Sequence, residues 1–279
     1  MNKLAMAVLT LLLVVTVATA AAAEAPGDLA LMLLRAEYEG QPIPILTKAD
    51  PALTVDGAYE VQKAYIAMKL AGGEAIAGFK GGLTAGGVQK RFGMTAPVTG
   101  VLLQSGMLTG APVLEKSRFG ALMLETEIAF VVGQPIVDII PDVASLKGKI
   151  QAVMPAIEVP DLGFADMKAL KAPDLVASNV SARQFIIGRE VSPDAFDLNA
   201  VKITLYHNGV AVGAGVGEDA LGDQWNTALW LINSMVAQGY KIEPGHILMT
   251  GALGAMLPGK PGSYTADYGD MGRIDFTIR

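Results

Sequence analysis

Leu122-Met123-Leu124-Glu125-Thr126-Glu127-Ile128-Ala129-Phe130-Val131-Val132 sets two carboxylates two residues apart inside an apolar run. Read as a β-strand, alternate side chains share a face, which puts Glu125 and Glu127 side by side with Cα atoms roughly 6.5 to 7 Å apart. Like charges on a half-buried face repel unless water or a cation compensates them, and one divalent ion held by both is the simplest compensation. A third carboxylate follows in Val153-Met154-Pro155-Ala156-Ile157-Glu158-Val159-Pro160, where Glu158 is an isolated charge in a strand-like run bounded by prolines. Three carboxylates make a hard oxygen site. The strand has a second reading, in which Leu122, Leu124, Thr126, Ile128 and Phe130 face the core while Met123, Glu125, Glu127 and Ala129 form an ordinary solvated face. The stretch alone does not choose between them.

Upstream, Ala75-Ile76-Ala77-Gly78-Phe79-Lys80-Gly81-Gly82-Leu83-Thr84 ends a small-residue, strand-like run in a lysine flanked by glycines. Glycines let the backbone approach closely. A lysine held near carboxylates or substrate can carry a proton or anchor an anionic group, and the alternative is a turn lysine in water. Ser178-Asn179-Val180-Ser181-Ala182-Arg183-Gln184 places polar side chains before an expected strand over 185–188, again with turn chemistry as the alternative. Gly251-Ala252-Leu253-Gly254 closes a strand with amides that could meet an anion. Gly213-Ala214-Gly215-Val216-Gly217 lacks nucleotide-loop spacing and precedes Glu218 and Asp219, which would repel phosphate.

The chain has 279 residues, 52% apolar and 17% charged, with a net charge of -6 and no cysteine. That acidic balance offers no basic stripe for phosphate neutralisation, so nucleic acid is not an expected partner. Residues 1–23 run from Lys3 through an apolar stretch to a small-residue end offering Ala-x-Ala cleavage sites, the pattern of a secretory signal peptide. Its removal predicts a periplasmic or secreted protein without stable membrane association. The alternative is an uncleaved membrane anchor, because 4–23 carries no charge. Without cysteine, export brings no disulfides.

Residues 24–279 read as a single catalytic domain, a helical part over 24–73 followed by a mixed β core over 74–279. Helices are expected over 28–39, with Leu29, Met32, Leu33 and Ala36 on the apolar stripe, and after an N-cap at Thr54 up to Gly72-Gly73. A segment over 161–176 is helical or irregular. Asn208-Gly209 marks a hairpin, which makes His207 a turn residue. Asp223 caps the clearest helix, with Trp225, Leu229, Ile232 and Val236 along its buried face, and 273–278 alternates as a closing strand.

Four motifs in order, Gly78-Phe79-Lys80-Gly81-Gly82-Leu83-Thr84, Leu124-Glu125-Thr126-Glu127-Ile128-Ala129-Phe130, Pro155-Ala156-Ile157-Glu158-Val159 and Met249-Thr250-Gly251, resemble the 2-keto-4-pentenoate hydratase and 4-oxalocrotonate decarboxylase family of the fumarylacetoacetase superfamily. The resemblance implies an α+β fold, a mixed β-sandwich or roll with peripheral helices, assembled as a homo-oligomer around Mg2+ or Mn2+. By motif position, Glu125, Glu127 and Glu158 look like the metal ligands and Lys80 like the acid/base residue. Thr84, Ser181 and Thr250 become candidates to hold a substrate carboxylate or the attacking water. Magnesium suits such a set, since it takes oxygen ligands and keeps open positions, whereas two histidines and no cysteine argue against zinc.

The implied activity is a metal-dependent lyase acting on a small 2-hydroxy-dienoate or 2-oxo acid through a metal-stabilised enolate. Hydration is the first expectation, decarboxylation the second, and a periplasmic binding protein that keeps the fold without turnover the third. A carbon-carbon hydrolase ranks below these, because it would use a histidine and glutamate pair. The chain departs from the family pattern at Ser178, where an acidic residue is common, at Ala85 in place of serine, and at Arg183, where a small residue is expected. Arg183 could narrow the pocket or pair with a second carboxylate, which would favour a dicarboxylic substrate.

Overall fold

The computed structural model describes residues 25–85 and 87–279. The leader expected over 1–23 lies outside the described residues, and among them no helix is long and apolar enough to cross a membrane. Helices α1 (Pro26–Tyr38), α2 (Leu46–Ala49) and α3 (Val55–Ala71) come first. Thr54 caps α3, accepting from the Gly57 amide at 3.1 Å. On α1, Leu29, Ala30 and Leu33 are buried, whereas Met32, expected on the apolar stripe, is exposed.

The β core follows as β1 (Ile76–Gly82), β2 (Val98–Leu103), β3 (Met107–Thr109), β4 (Val113–Leu114), β5 (Met123–Val132), β6 (Ile150–Val159) and β7 (Gln184–Ile187). Its remaining strands are β8 (Lys202–His207), β9 (Val210–Val216), β10 (Ile247–Met249), β11 (Leu257–Pro258), β12 (Gly262–Asp267) and β13 (Arg273–Ile278). Short helices α4 (Val88–Arg91), α5 (Val143–Lys147) and α6 (Ala172–Ala177) punctuate it, and α7 (Gln224–Ala237) packs against it. The segment over 161–176 is therefore irregular up to the short α6.

Two sheets form. The larger, eight-stranded one runs β2-β1-β10-β5-β6-β7-β3, with β11 paired to β5, and the smaller runs β4-β13-β12-β8-β9. This is the α+β architecture expected. One core joins Leu124, Ile128, Phe130, Val153 and Ile157 of the larger sheet to Ile203, Leu205, Ile274 and Phe276 of the smaller, with Ala228, Leu231 and Met235 of α7. The opposite face of the larger sheet carries Ala129, Val131, Met154, Ala156, Phe185 and Met249. Strands β5 and β6 are thus buried on both faces, and their near-continuous apolar runs follow from that. A separate apolar cluster gathers α1, α3 and α6 with Phe164 and Val180.

The buried stripe of α7 differs from the expected one. Gln224, Thr227, Ala228, Leu231, Ile232 and Met235 are buried, while Trp225, Leu229 and Val236 are only partly covered. Hydrophobic periodicity misplaced this face because two buried positions are polar. Gln224 donates to the Gly217 carbonyl at 2.6 Å and Thr227 to the Ala220 carbonyl at 2.9 Å, so both are buried with partners.

Register places the charged residues. Lys80 pairs with Met249 across β1 and β10, and Met249 pairs with Ala129 across β10 and β5. A bulge between Ile76 and Gly78 shifts the alternation in β1, and a Cβ at Gly78 would lie 1.9 Å from the Ile247 carbonyl oxygen. Only glycine allows β10 to approach there.

Candidate metal and acid/base site

Glu125 stands directly opposite Glu158 in the β5–β6 ladder, and Glu127 opposite Ala156. Directly opposed side chains share a face at a Cβ separation of about 4.5–5.5 Å, and Glu127, two residues on, joins the same face. One carboxylate oxygen from each glutamate lies within 4.8 Å of the other two. Glu127 and Glu158 are 0% exposed and Glu125 is half-buried. The solvated-face reading of the strand is therefore wrong for this chain.

What compensates three carboxylates away from water is visible in part. Lys80, itself buried, brings its Nζ to 2.7 Å from Glu158 Oε1 and 3.4 Å from the Val180 carbonyl oxygen. The Gly251 amide donates to Glu127 Oε2 at 2.7 Å, so the anion met by the glycine-rich turn is Glu127. The Tyr268 hydroxyl accepts from the Glu127 amide at 3.3 Å and donates to the Ala156 carbonyl at 2.6 Å, bridging β5 and β6 at the site. Glu127 Oε1 and Glu158 Oε2 are buried without a hydrogen-bond partner. Buried polar atoms are nearly always satisfied, so orphaned lone pairs facing one another mark a cation position. One ammonium against three carboxylates leaves two negative charges, which one divalent ion balances.

Titration behaviour agrees with that shortage of positive charge. Burial, and then the Glu158 charge, push Glu125 up to about 8 against the opposing pull of Lys80. Burial followed by Glu158 and Glu125 raises Glu127 well above the carboxylate range. Burial would pull Lys80 down, but Glu158, Glu125 and Glu127 overcome it and raise the ammonium.

Lys80 and Glu125 line a cavity of about 820 Å³, together with Thr84, Ser181 and apolar side chains from 83–92, 160–175 and 252–256. The Thr84 and Ser181 hydroxyls are buried and have no partner, so both are available to a ligand. Thr250 is not. Its hydroxyl is engaged with Gln224 Oε1 at 2.7 Å and the Ile128 carbonyl at 3.1 Å, and the residue does not line the cavity. Arg183 also stays out, pairing with Glu37 of α1 at 2.8 Å, so it neither narrows this cavity nor meets a substrate carboxylate in it. His207 Nε2 lies 3.0 Å from the Pro261 carbonyl oxygen and His246 Nδ1 accepts from the Glu243 amide at 3.1 Å, both away from the glutamates.

The turn that carries Ser181 is strained. Asn179, Val180 and Ser181 have φ of 58°, 51° and 58°, a left-handed run that a β-branched residue rarely joins. Asn179 locks it by mimicking a strand. Its Oδ1 accepts from the Val101 amide at 2.7 Å and its Nδ2 donates to the Val101 carbonyl at 2.8 Å. The turn thereby aims the Val180 carbonyl at Lys80 and sets Ser181 in the cavity wall. Sequence reasoning read 178–184 only as a polar cluster, and nothing in it marked Tyr268.

Comparison with known proteins places this geometry in context. A family described as fumarylacetoacetate (FAA) hydrolase C-terminal matches residues 90–278. The chain is 31% identical over 236 residues to a 2-keto-4-pentenoate hydratase of Paraburkholderia xenovorans (strain LB400), covering 84% of this chain and 87% of that protein. It is 28% identical over 253 residues to a 2-oxo-hept-4-ene-1,7-dioate hydratase of Escherichia coli, covering 88% and 95%. Among solved structures, 4-oxalocrotonate decarboxylase from Pseudomonas putida G7, complexed with magnesium and adipate, superposes with a TM-score of 0.86 at 28% identity, covering 91% of this chain and 97% of that one.

Proposed function

The chain belongs to the fumarylacetoacetate (FAA) hydrolase C-terminal family, and on that premise we propose that it is a divalent-metal-dependent lyase of the hydratase type, acting on a small 2-hydroxy-dienoate or 2-oxo acid. The observation that carries this reading is the meeting of Glu125, Glu127 and Glu158 with Lys80 at the floor of a cavity large enough for such an acid. The relatives' names cover hydratases and a decarboxylase, and the solved relative holds magnesium and a dicarboxylate.

In this reading Glu125, Glu127 and Glu158 hold a magnesium or manganese ion, and the orphaned lone pairs of Glu127 and Glu158 fit that role. When bound, the ion polarises the 2-oxo and carboxylate oxygens of the acid as a Lewis acid. Lys80 holds the proton that moves at C3, within reach of a substrate seated against the glutamates, and Glu158 keeps it charged. The Thr84 and Ser181 hydroxyls orient the substrate carboxylate or the water that adds at C4. The apolar wall excludes bulk water from the remaining chain of the substrate.

A panel of 2-hydroxy-dienoic and 2-oxo acids assayed with magnesium or manganese tests the reading. Metal-dependent loss of the conjugated chromophore with water incorporation is expected. Carbon dioxide release without hydration would make the decarboxylase the better description, and tight binding without any conversion would leave a binding protein. Export and self-assembly are part of the same proposal. They rest on the leader pattern over 1–23 and on the resemblance, and N-terminal sequencing of native protein and light scattering test them.

A further inference from the structure

The charges lining the cavity are distributed unevenly. At the floor lie Lys80 and Glu125, whereas the three other charged residues of the lining, Arg91, Lys168 and Lys171, are exposed and all cationic. The protein as a whole carries a net charge of -6, so this bias runs against the background. Among the described residues none of the three has a carboxylate within 4.0 Å.

The acids nearest Lys168 and Lys171 in sequence are committed elsewhere. Asp161 accepts from the Gly120, Ala121 and Gly163 amides, and Asp166 pairs with Lys48 at 2.7 Å. Asp174 accepts from Thr47 and from the Lys171 amide. Most of the remaining side chains of the wall are apolar, among them Phe92, Leu162, Met167, Leu170 and Met256. At about 820 Å³ the cavity sits toward the upper end of small-molecule sites and exceeds what a five-carbon acid would fill.

A buried anionic floor that takes a cation, an apolar wall and exposed cations at the opening describe the complement of an acid charged at both ends. We propose that Arg91, Lys168 and Lys171 read a second carboxylate, so that the substrate is a dicarboxylic 2-oxo or 2-hydroxy-dienoic acid whose distal end reaches the rim. The proposal rests on the lyase reading for the orientation of the first carboxylate. Exposed ion pairs contribute modestly one by one, so the three cations act as a group and are sensitive to salt.

The test is calorimetric titration of the magnesium-loaded protein with 2-oxoadipate and with 2-oxohexanoate, which differ only in a terminal carboxylate against a methyl group. The expected result is a preference for the diacid of about tenfold or more, falling below about threefold in the Arg91→Gln, Lys168→Gln, Lys171→Gln triple variant and at high salt. Equal binding of the two acids, or a preference that survives the triple substitution, overturns the proposal. Thermal melts and magnesium titration of the variant confirm that it folds and loads. Because binding is read without turnover, an absence of lyase activity alongside intact discrimination would overturn the lyase reading and leave the rim assignment standing.

Discussion

Glu127 concentrates the electrostatics of the site, since it is fully buried, orphaned at one oxygen and held at the other by the Gly251 amide. Replacing it with Gln keeps the shape and removes a ligand charge. Magnesium affinity should drop by more than the roughly 10- to 100-fold that loss of a supporting partner costs, as read by calorimetry. Lys80→Met should instead spare metal loading and abolish proton exchange at C3 of a 2-oxo acid followed by NMR. It should also destabilise the metal-free protein by about 3–5 kcal/mol in denaturant unfolding, because Glu158 loses its buried partner. The raised carboxylates give a pH signature. Glu125 holds its proton to about 8 in the metal-free fold and releases it below 5 when unfolded, so the folded state binds more protons in between. Stability of the metal-free protein should therefore fall as pH rises from about 5 to 8. Metal binding, which displaces those protons, should strengthen over the same window and release protons measurable in buffers of different ionisation enthalpy.

Strands β5 and β6 were legible because isolated charges in apolar runs have few explanations, and a period of two fixed which of them share a face. Lys80 was legible by its flanking glycines, and the caps at Thr54 and Asp223 by their residue types. Longer-range partnerships were not. The buried face of α7 turns on Gln224 and Thr227 finding carbonyls in a loop, and the withdrawal of Thr250 turns on Gln224 as well. The left-handed 179–181 turn depends on Asn179 reaching Val101, 78 residues away in sequence. Asn179→Ala removes both bonds and leaves the Val101 groups unpaired, so it should cost about 2–4 kcal/mol of stability in denaturant titration. Turnover should fall with little change in metal affinity, because Ser181 and the Val180 carbonyl lose their placement while the glutamates keep theirs.

At the scale of the molecule, the larger sheet gathers Lys80, Glu125, Glu127 and Glu158 from three strands brought together by register, and the helical layer of α1, α3 and α6 packs beside the turn that carries Ser181. Resemblance read from four short motifs anticipated this architecture. It left open the part played by Arg183, whose side chain answers to Glu37 on α1, an element the motifs do not include. Magnesium binds the assembled glutamates of the fold and not the unfolded chain, so at 100 times its dissociation constant it should raise stability by about 2.7 kcal/mol, seen as a concentration-dependent melting temperature. The most direct measurement is anomalous scattering from a crystal grown with manganese. The account predicts a single strong peak within direct coordination distance of one oxygen each of Glu125, Glu127 and Glu158, with Lys80 adjacent. A peak elsewhere, or three carboxylates turned apart around an empty space at saturating manganese, would contradict it.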